Sequence, residues 1–179
     1  MRLAGLVRCS VLGAVGFGVG GAIAILSTLG PIPLPFSVLV GGAFGGASLG
    51  LALNDWRKVA ILALLGALGL AIGVFATLTV GSFFNYSTLP LGALVGVVVG
   101  ASLGVAFLDW RTVLGLAVAG AVGFGVGLLA GGLLRASFPI IRGVGSIAVT
   151  GVIGGAFLGV ALGYLERHRL AEEQRSRVR

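Results

Sequence analysis

Residues 45–57 read GGASLGLALNDWR, and residues 99–111, which lie 54 positions later, read VGASLGVAFLDWR. A third stretch, GGAFLGVALGYLE at residues 154–166, follows after a further 55 positions and lacks the Asp-Trp-Arg ending. Self-similarity at a nearly fixed spacing is the signature of a repeated structural unit. We therefore predict that the chain is built from three copies of one unit of about 54 residues.

The composition indicates the environment of these units. Of 179 residues, 34 are glycine, 58% are hydrophobic and only 9% are charged. A soluble domain carries roughly 25% charged residues, and such a charged surface is what keeps it in solution. Collagen is excluded because the glycines do not recur at every third position. The class that remains is an integral membrane protein.

Six apolar segments approach or exceed the length of about 20 residues that a helix needs to cross a bilayer. Prolines, polar residues or charged residues separate them. Transmembrane β-strands are a poor alternative, because such strands alternate polar and apolar residues over about ten positions and these segments do not. The predicted fold class is all-α, with six transmembrane helices. The predicted spans are residues 9–29, 36–53, 59–80, 91–108, 112–134 and 144–165.

Each repeat contains two of these spans, so the unit is a helical hairpin. The odd-numbered spans also repeat, because GAVGFGVG at residues 13–20 recurs letter for letter at residues 120–127. All three hairpins enter the membrane from one side, as parallel repeats related by an axis along the membrane normal do. We expect three tandem hairpins in a pseudo-threefold bundle. The predicted hairpins are residues 1–55, 56–109 and 110–165, and a charged cytoplasmic tail follows at residues 166–179.

Glycines recur at four-residue steps within the spans, which places them along one face of each helix. Helices in lipid associate through close van der Waals packing, and faces of small residues permit it. We interpret these glycines as helix-packing residues; the alternative is that they line a pore or dock a partner helix. Ser48 and Ser102 lie among them and are expected to hydrogen-bond across helices. The predicted packing glycines are Gly16, Gly20, Gly42, Gly46, Gly50, Gly69, Gly73, Gly92, Gly96, Gly100, Gly104, Gly123, Gly127, Gly151, Gly155, Gly159 and Gly163.

The junctions between the repeats carry an Asp-Trp-Arg motif. An aspartate before a helix caps the free N–H groups of its first turn. Tryptophan favours the headgroup level of a bilayer, and arginine at the end of a span anchors there as well. We interpret the motif as a set of interfacial anchors, with contact to a cytoplasmic partner as the alternative. The predicted anchors are Asp55, Trp56, Arg57, Asp109, Trp110 and Arg111.

The basic residues are distributed unevenly between the two sides of the predicted bundle. Ten of the 12 Lys and Arg residues lie on the side that holds both termini, and only Arg135 and Arg142 lie on the other. Because cytoplasmic loops carry the excess of Lys and Arg, we expect the chain in the inner cell membrane with both termini in the cytoplasm. The net charge of +7 then reflects membrane orientation. The expected partner is the lipid bilayer and not a nucleic acid.

The predicted spans contain few residues that could take part in catalysis, proton transfer or ion binding. No Asp, Glu, Lys, Arg or His lies at the centre of a predicted span. Ionisable residues inside a membrane mark ion paths, proton relays and coupled transport, so these functions are disfavoured. The one histidine, His168, lies in the charged tail, and Cys9 is the single cysteine. We expect no enzymatic activity, no cofactor and no metal.

Two functions remain. The glycine faces provide abundant packing surface, and the spans carry no set of residues suited to catalysis or ion transport. This favours a structural or accessory component that packs into a homo-oligomer or a larger membrane complex. The alternative is a transporter, pore or substrate-binding subunit for a small neutral or apolar solute, because a threefold bundle could enclose a central path. A cavity between the three hairpins would favour the alternative, and its absence would contradict it.

Overall fold

A computed structural model describes residues 2–28, 33–81, 87–137 and 144–177. This part of the chain is helical, and all six helices are long and apolar enough to cross a membrane. The chain thus has the helices of a multi-pass membrane protein. They are α1 (Arg2–Thr28), α2 (Leu34–Ala52), α3 (Trp56–Val80), α4 (Thr88–Val105), α5 (Trp110–Ser137) and α6 (Val144–Arg177).

The helices match the predicted spans in number and order and differ at some ends. Helix α1 begins at Arg2, before the predicted start at Cys9, and α6 continues through the predicted tail to Arg177. Helix α4 ends at Val105, because residues 106–108 form a turn that leads into the capping residue of α5. Leu108 in this turn has a φ of 52° and is 94% exposed. The span end predicted at Leu29, and the basic residues Arg142 and Arg179, lie outside the described residues.

The helices form a closed ring in chain order. Each helix packs against the next one along the chain, and α6 packs against α1. The contact between α3 and α4 is the least extensive of the six, and those of α4 with α5 and of α6 with α1 are the most extensive. We call the end of the bundle where α1 begins and α6 ends the termini side. The turns between α2 and α3 and between α4 and α5 lie at that same end.

A buried apolar core fills the half of the ring near the termini side. Large apolar side chains on the outer surface of the helices, such as Val15, Phe44, Leu64, Phe75 and Val118, are exposed. An apolar exterior of this kind suits contact with lipid chains, because the chains are themselves apolar and exposure to them carries no hydrophobic penalty. The core side chains of this half are Leu49, Leu62, Val99, Leu103, Leu116, Leu158 and Leu162.

Candidate functional site

Most of the predicted packing glycines face a neighbouring helix of the same chain. We call the contact between the second helix of one hairpin and the first helix of the next a seam. At the α2–α3 and α4–α5 seams, a Cβ atom added to a glycine would collide with the backbone of the facing helix, so only glycine permits the observed approach. The backbone pairs are Gly42 with Gly66, Gly46 with Leu62, Gly96 with Gly120 and Gly100 with Leu116.

The third seam, between α6 and α1, closes the ring in a different register. The similar stretches of sequence align Gly155 with Gly100, whose partner is Leu116, and they align Leu116 with Cys9 on α1. A Cβ atom on Gly155 would instead meet the carbonyl oxygen of Gly13, and it is Gly159 that lies against Cys9. Four residues are about one helical turn. The closing seam is therefore displaced by about one turn relative to the other two.

Within each hairpin, equivalent residues meet. Gly16 lies against Ser48, Gly69 lies against Ser102, and Gly123 lies against Phe157 in the third copy. The predicted hydrogen bonds of the two serines across helices are not observed. The Ser48 hydroxyl donates to the Gly45 carbonyl at 2.7 Å, and the Ser102 hydroxyl donates to the carbonyl three residues earlier at 2.8 Å. A serine inside a helix can satisfy its donor within its own preceding turn, which makes a partner on another helix unnecessary.

The Asp-Trp-Arg junctions lie at the termini side. The Asp55 carboxylate accepts from the backbone N–H of Arg57 at 3.0 Å, and Asp109 accepts from that of Arg111 at 3.2 Å. Asp109 also accepts from the Thr112 hydroxyl at 3.0 Å. This side-chain hydrogen bond, and next the backbone one from Arg111, lower the pKa of Asp109 below its ordinary value.

The other predicted anchor residues at these junctions lie on the surface of the bundle. Trp56, Arg57, Trp110 and Arg111 are exposed. The Arg111 guanidinium lies 5.8 Å from the centre of the Trp110 ring. Nearby, Lys58 pairs with Glu166 at 3.5 Å, which links the start of α3 to the end of the apolar part of α6.

A cavity of about 420 Å³ lies in the half of the bundle away from the termini side, and all six helices contribute to its wall. The rings of Phe17 and Phe124 meet edge to face between the cavity and the apolar core, with centroids 5.8 Å apart. None of the described residues that line the cavity is charged. Four of them carry a hydroxyl group: Ser37, Thr77, Ser146 and Thr150.

Two of these hydroxyls have hydrogen-bond partners within the protein. Thr77 donates to the Val74 carbonyl at 2.7 Å, and Thr150 lies within hydrogen-bond distance of the carbonyls of Ser146 and Gly127. Ser37 differs from them, because its buried oxygen has no hydrogen-bond partner. The wall therefore combines a large apolar surface with a few hydroxyl groups, as small-molecule sites do, and among these the Ser37 oxygen is the one that is buried without a partner.

A second hollow, of about 650 Å³, lies at the termini side between the α4–α5 turn and α6. It is lined by residues of both charge signs, including Asp109, Arg111, Glu166 and His168. Within the described ranges, no three His, Cys, Asp or Glu side chains come close enough to hold a metal ion.

The residues that line the central cavity were not singled out from the sequence as a site. In the sequence, each of these residues resembles any other residue of an apolar span. The cavity exists only because residues from all six helices come together in the folded chain. The repeat contained a signal, since Phe17, Leu70 and Phe124 occupy equivalent positions in the odd helices. No family model, curated protein or solved structure matches this chain.

Proposed function

We propose that this protein binds a small, uncharged, apolar solute in the central cavity, as a transporter or as the substrate-binding subunit of one. The cavity between the hairpins is the observation that carries the proposal. Its volume of about 420 Å³ lies in the range of small-molecule sites, which is about 300–1,000 Å³. Because its described lining holds no charged side chain, an ion would lose its hydration there without compensation.

We further propose that the bundle is pseudo-threefold about this cavity and that it arose from three tandem hairpins. Support comes from the cavity lining, to which each of the three copies contributes residues at equivalent positions. Spacings of 53 and 54 residues in the odd helices, and of 54 and 55 in the even helices, relate these residues. The sets are Phe17, Leu70 and Phe124; Gly21, Val74 and Leu128; Ser37, Leu91 and Ser146; and Gly41, Val95 and Thr150.

The role of a structural component in an oligomer or a larger complex is less well supported. That hypothesis depended on glycine faces in excess of what the bundle itself needs. Nearly all the described glycines lie close to atoms of the same chain, and Gly5 and Gly132 are two exceptions, with open space around an added Cβ atom. The close-packing surface is therefore used within the monomer.

The orientation proposed from the basic residues determines which side the cavity faces. With both termini in the cytoplasm of an inner-membrane protein, the cavity would lie in the half of the bilayer away from the cytoplasm. The apolar core would separate it from the cytoplasmic side. The proposal involves no catalytic step and no cofactor.

Saturable binding of naphthalene to the protein in lipid nanodiscs tests this function, with empty nanodiscs as the correction for partition into lipid. An apolar cavity of 150 Å³ holds benzene, so the larger cavity here accommodates a molecule of two rings. Val74→Trp places an indole in the cavity and should weaken binding by about tenfold or more. Val97→Trp is the matched control, because Val97 is exposed on the outer surface of α4. Equal binding by both variants would contradict a site in the cavity.

A further inference from the structure

We infer that the ligand of the cavity is an apolar, uncharged molecule with a single hydrogen-bonding group, and that the Ser37 hydroxyl binds this group. The inference rests on the proposed function, because it takes the cavity to be a binding site. It adds a chemical class, that of neutral molecules with one alcohol, phenol or carbonyl group on a hydrocarbon body. It also assigns the residue that orients them.

The burial of Ser37 is the first observation. The residue is 1% exposed and lies in the cavity wall near the start of α2. Its oxygen is the one buried side-chain polar atom in the described part of the chain that has no hydrogen-bond partner. Buried polar groups are nearly always hydrogen-bonded, and an exception calls for an explanation. A ligand that supplies the missing partner is such an explanation.

The backbone at the start of α2 limits the local acceptors of the Ser37 hydroxyl. A helical serine usually donates to the carbonyl three or four residues earlier, as Ser48 and Ser102 do. The carbonyl four residues before Ser37 belongs to Pro33, and it already accepts from the backbone N–H groups of Phe36 at 3.0 Å and of Ser37 at 3.4 Å. A carbonyl oxygen has two lone pairs. This acceptor is therefore occupied at the turn that opens the helix, and the Ser37 hydroxyl does not donate to the carbonyl three residues earlier, that of Leu34, either.

The remainder of the wall limits what the partner can be. A hydroxyl both donates and accepts, so an alcohol, a phenol or a carbonyl can bind to it. A charged group is disfavoured, because no described lining residue carries a countercharge. Phe17 and Phe124 line the cavity but are only 3% and 4% exposed, so the ligand body would contact mainly the aliphatic side chains of the wall. Because the Ser37 oxygen is buried in the structure, binding of the ligand to it requires rotation about the serine χ1 angle to another staggered position, which would bring the hydroxyl to the ligand.

A matched pair of probes, naphthalene and 1-naphthol, tests this assignment in nanodiscs, because the two differ by one hydroxyl. We expect the wild-type protein to bind naphthol about fivefold more tightly than naphthalene, after each is corrected with empty nanodiscs. Ser37→Ala should remove this preference and leave naphthalene binding unchanged. Thr77→Val is the control, because the Thr77 hydroxyl lines the same cavity but is engaged by Val74. This control variant should keep the preference.

The outcomes separate the inference from the proposed function. If naphthalene binds saturably and Val74→Trp abolishes it, but Ser37→Ala keeps the naphthol preference, the assignment of Ser37 is wrong and the cavity remains a site. If neither probe binds saturably, both proposals fail. The thermal midpoint of Ser37→Ala gives a second measure, because removal of an unpartnered buried hydroxyl should leave the midpoint unchanged or raise it. A clear decrease would mean that the hydroxyl has a partner within the protein, which would also overturn the inference.

Discussion

At the α4–α5 seam Gly100 packs against the carbonyl of Leu116, whereas at the α6–α1 seam its repeat counterpart Gly155 packs against Gly13. Both seams present a ladder of glycines at four-residue steps to the facing helix. They differ by about one helical turn, or about 5.4 Å along the axis. Such a ladder therefore allows two helices to approach closely without determining their register, because each step of the ladder offers nearly the same contact.

The ends of the helices explain why only the third seam is displaced. Helix α4 ends at Val105, where the turn before Asp109 begins, so its ladder stops at Gly104. Helix α6 lacks the Asp-Trp-Arg junction and continues to Arg177. It therefore carries one further glycine step, Gly163, which lies against Leu6 of α1. Because α6 has this additional glycine, it can be displaced by one turn along α1 and still place a glycine at every close contact of the seam.

The largest expected effect comes from breaking the α4–α5 seam with Gly100→Leu. The added side chain would collide with the backbone carbonyl of Leu116, which cannot move without displacing the helix. We expect a loss of about 3 kcal/mol in the free energy of unfolding, measured by denaturation in mixed micelles. Gly132→Leu is the matched control, because an added Cβ atom there has open space. Similar losses in both variants would mean that the close approach at the seam is not what the glycine provides.

A smaller effect distinguishes the two registers directly. In the displaced register an added Cβ atom on Gly163 lies 3.3 Å from the Cα atom of Leu6. Gly163→Leu should therefore cost about 1 kcal/mol by the same denaturation measurement. Val160→Leu, at an exposed position of the same helix, is the control and should be nearly neutral. No loss in Gly163→Leu would indicate that the third seam has the register of the other two.

The smallest expected effect concerns the acid sensitivity of the junction that ends the α4–α5 seam. The pKa of Asp109 is lowered in the folded protein, so its carboxylate stabilises the fold above the ordinary pKa of the group, near 3.8. This contribution is lost as the pH falls through the lowered pKa, because the protonated group no longer accepts both hydrogen bonds. Between pH 5 and about pH 3, the thermal midpoint should fall slightly more in the wild type than in Asp109→Asn. Parallel pH profiles for the two proteins would contradict this role.

Much of the fold can be predicted from the sequence alone, because the signals involved are local. The length of an apolar segment determines whether it can span a bilayer, and the six helices observed match the six segments. The capping residues are also local, since Asp55 and Asp109 bind N–H groups only two residues away. The hydrogen bonds of Ser48 and Ser102 were predicted across helices and are local instead. That error arose because a spacing pattern does not reveal which of two acceptors is nearer.

Only the tertiary structure decided the register of the closing seam and the presence of the cavity between the helices. The register depends on the sum of contacts along two whole helices, and a periodic ladder makes the alternatives nearly equal in local contacts. The cavity depends on how all six helices pack together, so the sequence of a single span does not reveal it. Ser37 looks like any helical serine in the sequence. Only the structure shows that its hydroxyl is buried without a partner and that the Pro33 carbonyl, one of its local acceptors, already accepts two backbone N–H groups.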